Sequence, residues 1–409
     1  MDTFPKHLQR KLDERQAENA LRHLVKPNPL VDFSSNDYLG LARDTSLFEA
    51  THEYLKQHKI TQNGATGSRL LSGNHPLYSI LEAVLCEFHN SDSALVFNSG
   101  YDANLGFFSC VPQRGDVILY DEYIHASIRD GIKLSNAQAY KFKHNDLDDL
   151  EKKCQTERRR CPKETIIYIV TESVFSMDGD SPDFVELVKL CKTYGAYLVV
   201  DEAHAVGVFG KRGSGLIQEL ELEQDVFARL ITFGKALGGH GAAILGSETL
   251  KHYLVNFSRS FIYTTALPPH NLATINTVYK ELVISNDSEK SHQAIQGLHQ
   301  NIRFFKSEVD RLQLNFPPSG EMSVGQRGFI ESHSAIHCCI ISGNDKVKSI
   351  AANLQSKGFD VKPIVSPTVP KGQERLRFCL HSYNSEQEIT EVLKLLSTFV
   401  GLDAEPNSA

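Results

Sequence analysis

Apolar residues along this chain fall into short unbroken runs, separated by stretches where they recur at helical spacing. The runs Ala94–Asn98, Val117–Tyr120, Thr165–Thr171 (TIIYIVT), Ala196–Asp201 (AYLVVD), Arg229–Phe233 and Ala242–Leu245 predict buried strands. Between them, His75–Phe88, His125–Leu134 and Phe184–Tyr194 carry a helical pattern. Such alternation predicts an α/β fold, a mainly parallel sheet covered on both faces by helices. Residues 4–24 read as an amphipathic helix, broken by the KPNP stretch at Lys26–Pro29 and followed by an extended run, Leu30–Phe33. After Pro268-Pro269, helices are expected at Asn271–Val283 and over 288–312, then strands at Ala335–Ile341 and Leu376–Leu380 and helices at Lys346–Lys357 and Ser385–Val400. The expected organisation is an N-terminal helix and extended segment (1–45), a large domain (46–285) and a smaller α+β C-terminal domain (286–409), with a fraying polar tail, GLDAEPNSA.

Composition narrows the class of protein. At 409 residues, 41% hydrophobic and 23% charged, the chain suits a globular protein with a large core. A formal charge of −7 argues against nucleic acid as a partner. The eight cysteines form no C-x-x-C pair, and no His/Cys cluster has zinc spacing, so neither a disulfide framework nor a metal site is expected. The charged N-terminal stretch has no apolar h-region, and no window approaches the roughly 18 apolar residues of a membrane span. A cytoplasmic protein is expected.

Candidate chemistry lies just after the apolar strands, where open α/β sheets bind ligands. The run AYLVVD ends in Asp201-Glu202-Ala203-His204. These four letters match a helicase Walker B motif, but neither Gly210-Lys211-Arg212 nor Gly234-Lys235-Ala236 continues as the phosphate loop that motif requires. Two readings of Asp201 stay open: a turn cap, or an acid that keeps the ring nitrogen of pyridoxal 5′-phosphate (PLP) protonated. Lys235 stands between the strand RLITF and a glycine-rich turn, 34 residues after Asp201, where burial would favour a neutral, nucleophilic amine. Thr232 and the backbone near Gly238 offer donors to a phosphate. Asn98-Ser99-Gly100-Tyr101 opens a helix whose amide groups also suit a phosphate. His125 is a candidate to stack on a planar ring, or a satisfied polar residue at a helix start. The segment Phe209–Gly215 lacks G-x-G-x-x-G spacing and reads as a flexible loop near the site.

Long segments resemble the α-oxoamine synthases, a family of fold-type-I PLP-dependent transferases. They are SNDYLGL (35–41), GATGSRLLSGNHPLY (64–78), NSGYDAN (98–104), HASIRDG (125–131), KHNDLDDLE (143–151), TESVFSMDGD (171–180), VDEAHAVGVFGKRGSG (200–215), TFGKALGGHGAAILGS (232–247) and FIYTTALPP (261–269). The resemblance implies that Lys235 holds PLP covalently and then removes the amino acid's α-proton, that Asp201 pairs with the ring nitrogen, and that His125 stacks on the ring. It implies that His204 and Ser176 hydrogen-bond the ring oxygen, His204 also stabilising oxyanions as they form. Phosphate contacts would come from the Gly100 and Tyr101 amides, Thr232, and Thr264 and Thr265 of a partner subunit in a homodimer with shared active sites. Asn36 and Arg377 resemble ligands of the substrate carboxylate. Within the family, GGHGAAILGS, FIYTTALPP and SGNHPLY are most similar to the biotin-pathway member that joins L-alanine to pimeloyl-CoA. The alternatives are members using glycine with acetyl-CoA or serine with palmitoyl-CoA, and, outside the family, an aminotransferase. Two departures bear on the pocket: Ile124 replaces the family's usual Asn, and Cys-Leu-His-Ser-Tyr-Asn at 379–384 replaces an Ala-His-Thr pattern.

Overall fold

Seven strands form the main sheet: β1 (Ser93–Phe97), β2 (Val117–Asp121), β3 (Gln138–Phe142), β4 (Ile167–Glu172), β5 (Tyr197–Asp201), β6 (Ala228–Thr232) and β7 (Ala242–Gly246). Their order is β1-β7-β6-β5-β4-β2-β3, and β7 alone runs antiparallel to its neighbours. The apolar runs become strands because only a doubly covered sheet buries both faces of a continuous Val/Ile/Leu segment. All of β1 and β4 is buried. β3 was not predicted; its sequence, QAYKF, is largely exposed at the sheet edge and has no apolar run to betray it. Beneath the sheet, Phe97, Phe107, Ile118, Ile128, Val170 and Leu230 share one apolar core.

The computed structural model describes residues 4–24, 29–162, 164–284, 290–314 and 328–400. The chain divides into two units, one of Asn36–Ser176 with Ser181–Gly297, the other of Met1–Ser35, Met177–Asp180 and Leu298–Ala409. Domain changes had been expected at 45/46 and 285/286. The second of these, part of the KPNP break and the polar tail fall outside the described residues. In the second unit, Lys362–Ile364, Arg375–Cys379, Ile336–Ile340 and Gly328–Phe329 form an antiparallel sheet in that order. Helices Asn344–Ser356 and Glu386–Val400 belong to the same unit, as the apolar spacing predicts.

The N-terminal helix is shorter than predicted. It covers Lys6–Ala17 and buries none of its residues. Asn19 adopts the left-handed conformation (φ 48°) and ends it, while the Ala20 amide donates to the Arg15 carbonyl at 2.7 Å. Leu21 and Leu24 therefore lie beyond the helix they were expected to extend. Among the described residues, no helix is long and apolar enough to cross a membrane.

Candidate active site

A cleft of about 270 Å³ opens at the carboxyl ends of the central strands, within the larger unit. Asp201 ends β5 and is buried at its floor. One carboxylate oxygen accepts the Ala203 amide at 2.9 Å, and the other accepts the Asn104 amide nitrogen at 2.8 Å. Asn104 also donates to Ser127 Oγ at 3.0 Å, and Ser127 Oγ lies 2.7 Å from His125 Nδ1. A continuous polar chain thus holds the acid and the histidine on one framework. Neither Asn104 nor Ser127 was singled out in the sequence.

His125 caps the helix Ala126–Leu134, its Nδ1 accepting the Ser127 amide at 3.2 Å. Burial holds its pKa below the ordinary imidazole value, with the Lys235 and Arg129 charges adding and Asp201 opposing. Ile124, where the family carries Asn, is buried in the apolar core beside it. The His125 backbone amide donates to Glu172 at 2.5 Å. Glu172 ends β4 in register with Asp201 on β5 and also lines the cleft. Burial, reinforced by the neighbouring Asp201 charge, pushes its pKa well above the usual carboxylate range. The floor of the cleft therefore carries two neighbouring carboxyl groups, Asp201 and Glu172. Glu172 was missed, although the rule that found Asp201, an acid closing an apolar strand, applies equally to it.

Lys235 sits on the turn between β6 and β7. The Phe233 amide donates to Gly241 at 2.9 Å, and the Gly239 amide to Phe233 at 2.7 Å. Gly238 has φ 61°, and a Cβ there would meet the Ala42 nitrogen at 2.3 Å, so this turn requires glycine. Two expectations change here. Lys235 is half-buried rather than sealed from water. The Gly238 amide donates to the Lys235 carbonyl at 2.9 Å, so it serves the turn rather than a phosphate.

Opposite, the helix Gly100–Cys110 directs its N-terminus at the cleft, with Ser99 as its cap, accepting the Asp102 amide at 3.0 Å. A Cβ on Gly100 would stand 2.7 Å from Thr232 Cγ2, so the close approach of this helix to β6 depends on the missing side chain. Gly100, Tyr101 and Thr232 all line the cleft, as do Asn36 and His204. His204 Nδ1 lies 2.7 Å from the hydroxyl of Tyr38, a fully buried residue that the sequence reading also passed over.

Other predicted residues lie elsewhere. Ser176 is not among the residues lining the cleft. Thr264 and Thr265 follow the short helix Arg259–Ile262, where Asn98 donates to Thr264 Oγ1 at 3.2 Å and to the Thr265 carbonyl at 2.5 Å. Arg377 belongs to the second unit, buried on the strand Arg375–Cys379. Phe209–Gly215 is no flexible loop: the Gly207 amide donates to Gly213 at 2.8 Å and the Gly215 amide to Phe209 at 2.9 Å, and Gly213 and Ser214 are buried.

The donor set suits PLP. Asp201 is a buried acid for a ring nitrogen, His125 an imidazole at its side, and Lys235 an amine for an aldehyde. Gly100 and Tyr101 supply helix-terminal amides for a phosphate, and a Cβ on Gly100 would press this helix away from Thr232. Comparison with known proteins agrees. Residues 28–396 match the family model for class I and II aminotransferases. The chain is 41% identical to an 8-amino-7-oxononanoate synthase of Emericella nidulans, over 98% of each chain. Among solved structures, a lysine-to-alanine variant of a serine palmitoyltransferase from S. paucimobilis with a bound PLP–myriocin aldimine matches with a TM-score of 0.82 at 26% identity, over 97% of each chain. An 8-amino-7-oxononanoate synthase from Francisella tularensis matches with a TM-score of 0.73 at 30% identity, over 92% of this chain and 99% of the other. The chain therefore belongs to the α-oxoamine synthases, PLP-dependent acyltransferases of fold type I within the class I and II aminotransferase family.

Proposed function

We propose that the protein condenses L-alanine with pimeloyl-CoA, or another pimeloyl thioester, releasing CoA and CO₂ and forming 8-amino-7-oxononanoate in biotin biosynthesis. The observation that carries this reading is the 41% identity to an 8-amino-7-oxononanoate synthase over 98% of each chain. Bound PLP supplies an aldehyde for the amino acid's nitrogen and a ring that withdraws electrons from its α-carbon. The protein's residues do the rest. Asp201, anchored by Ala203 and Asn104, would stand opposite the ring nitrogen. His125, fixed by its bonds to Ser127 and Glu172, would stack on the ring. The Gly100 and Tyr101 amides and the Thr232 hydroxyl hold the phosphate, with Thr264 and Thr265 reaching it from the partner subunit of a cytoplasmic homodimer.

Lys235 Nζ first holds the cofactor, then removes the α-proton of alanine. The α-carbon then bonds to the thioester carbonyl, the C–S bond breaks and CoA leaves. Loss of the original alanine carboxyl as CO₂ follows, and a proton returned to the same carbon completes the amino ketone. Asn36 would meet the substrate carboxylate, and His204 the ring oxygen.

The discriminating experiment measures CoA release with alanine, glycine and serine, each against acetyl-, pimeloyl- and palmitoyl-CoA. Alanine with pimeloyl-CoA is expected to give the highest kcat/KM. The likeness to a serine palmitoyltransferase supports a second reading, serine with a long acyl-CoA. A preference for that pair, or for glycine with acetyl-CoA, would overturn the biotin assignment.

A further inference from the structure

The order of the strands lays the cleft out from one end to the other. Asp201 ends β5 and His125 follows β2, so the groups assigned to the ring stand over one half of the sheet. Those assigned to the phosphate stand over the other: Gly100 and Tyr101 follow β1, and Thr232 ends β6. Strand β7 lies between β1 and β6 and runs antiparallel to both, so the chain enters β7 at the edge where its neighbours leave. Its first residue, Ala242, pairs with Phe97 on one side and Thr232 on the other. Just before it, the Gly241 carbonyl accepts the Phe233 amide at 2.9 Å, and a Cβ on Gly241 would meet the Phe97 carbonyl at 3.2 Å. Contact with both neighbours thus continues past the strand. His240 comes next, between the turn Asn98–Gly100 and the turn that carries Lys235, at the phosphate end of the cleft.

His240 is exposed and lines the cleft, and among the described residues none bonds to its ring. The other basic side chains lining the cleft are Lys235, His125 and His204. Lys235 is assigned to the aldehyde, and His125 and His204 to the ring and its oxygen. His240 is thus the basic side chain left for the phosphate end. A phosphate monoester carries nearly two negative charges at neutral pH, and amides and a hydroxyl bring no full charge to meet them. We propose that His240 is a ligand of the cofactor phosphate, donating a ring N–H to a phosphate oxygen beside the Gly100 and Tyr101 amides. The proposal rests on the reading of this cleft as the PLP site and adds a side chain to its phosphate seat. An imidazole offers one N–H when neutral and two when protonated, so it donates in either state. A bond to an ionised oxygen is stronger than one to a neutral acceptor.

The test compares the affinity of the full-length apoenzyme for PLP and for pyridoxal, which has the same ring and aldehyde but no phosphate. His240→Ala should weaken PLP about five- to tenfold, because the lost bond meets an ionised oxygen yet is open to water. Pyridoxal affinity should stay unchanged. His240→Gln, which keeps an N–H donor, should lose less, and it carries the test should His240→Ala fail to fold. In the loaded enzyme, the ³¹P NMR signal of the bound cofactor should shift in His240→Ala. Equal losses for PLP and pyridoxal, or an unmoved ³¹P signal, overturn the proposal. So does a raised KM for the acyl-CoA with PLP affinity untouched, which would assign His240 to the thioester. Gly100→Ala separates the two levels of the reading. If it weakens PLP while His240→Ala does not, His240 alone is wrongly assigned; if neither does, the phosphate seat itself falls.

Discussion

Replacing Gly100 by alanine adds one carbon where the structure has no room for it. The new Cβ would stand 2.7 Å from Thr232 Cγ2, whereas ordinary contacts begin at 3.4 Å, so the gap must open by at least 3.4 − 2.7 = 0.7 Å. Thr232 is β-branched and turns only by moving its hydroxyl, which now donates to the Ala203 carbonyl at 3.4 Å. Otherwise the N-terminus of the helix Gly100–Cys110 must back away from β6, and with it the Gly100 and Tyr101 amides assigned to the phosphate. Overpacking of this kind costs about 1–3 kcal/mol, which corresponds to a loss of PLP affinity of about 5- to 150-fold. The assay is titration of the apoenzyme with PLP, followed by visible absorbance, with thermal unfolding of the apoenzyme in parallel. Thr232→Ser removes Cγ2 and keeps the hydroxyl; the remaining Cβ lies 4.0 Å away, an ordinary contact. Gly100→Ala/Thr232→Ser should therefore regain most of the lost affinity. Wild-type PLP affinity in Gly100→Ala would refute the phosphate seat at this helix, and a double variant no better than the single would refute the clash as its cause.

Lys235→Ala should abolish the visible absorbance of the covalently held cofactor and all CoA release; a variant that keeps either would remove Lys235 from its role. Glu172→Gln keeps an acceptor for the His125 amide and removes a buried acid. Because the folded state raises the pKa of Glu172, its native form binds a proton more tightly than the unfolded chain. That contribution is complete below the ordinary carboxylate value and is lost as pH rises through the raised one. Glu172→Gln should accordingly lose less stability than wild type between pH 5 and pH 9, as read by urea unfolding; parallel profiles would count against a neutral Glu172. His89 behaves in the opposite sense: burial, with the Arg229 charge adding, lowers its pKa to about 3, and it bridges the Ser214 carbonyl and the Tyr279 hydroxyl. Its contribution is present above the ordinary imidazole value of 6.5 and is lost as pH falls towards 3, by at most about 1.4 kcal/mol per pH unit. His89→Gln should be less stable than wild type at pH 7, yet lose less on acidification to pH 4; an equal acid slope would count against it.

Much of this protein is written into its sequence by local rules. Doubly buried strands demand continuous apolar runs, so β1, β2, β4, β5, β6 and β7 were legible, while the exposed edge strand β3 was not. Residues that leave such strands at their carboxyl ends are few, and Asp201 and Lys235 stood out on that ground alone. Long motifs added the family and, through it, roles for His125, His204 and Asn36. What pairing across the sheet decides is another matter. Register sets Glu172 beside Asp201, and burial, reinforced by that neighbour, raises the pKa of Glu172. Asn104 and Ser127 join Asp201 to His125 through bonds between residues 23 and 97 positions apart. Tyr38 meets His204 across 166 positions, a contact no spacing encodes. A sequence determines which side chains are buried and which strands end in reactive groups, because those follow from neighbours in the chain. Carboxyl pairings, the Tyr38–His204 contact and the clearance at Gly100 follow from distances between segments that only folding brings together.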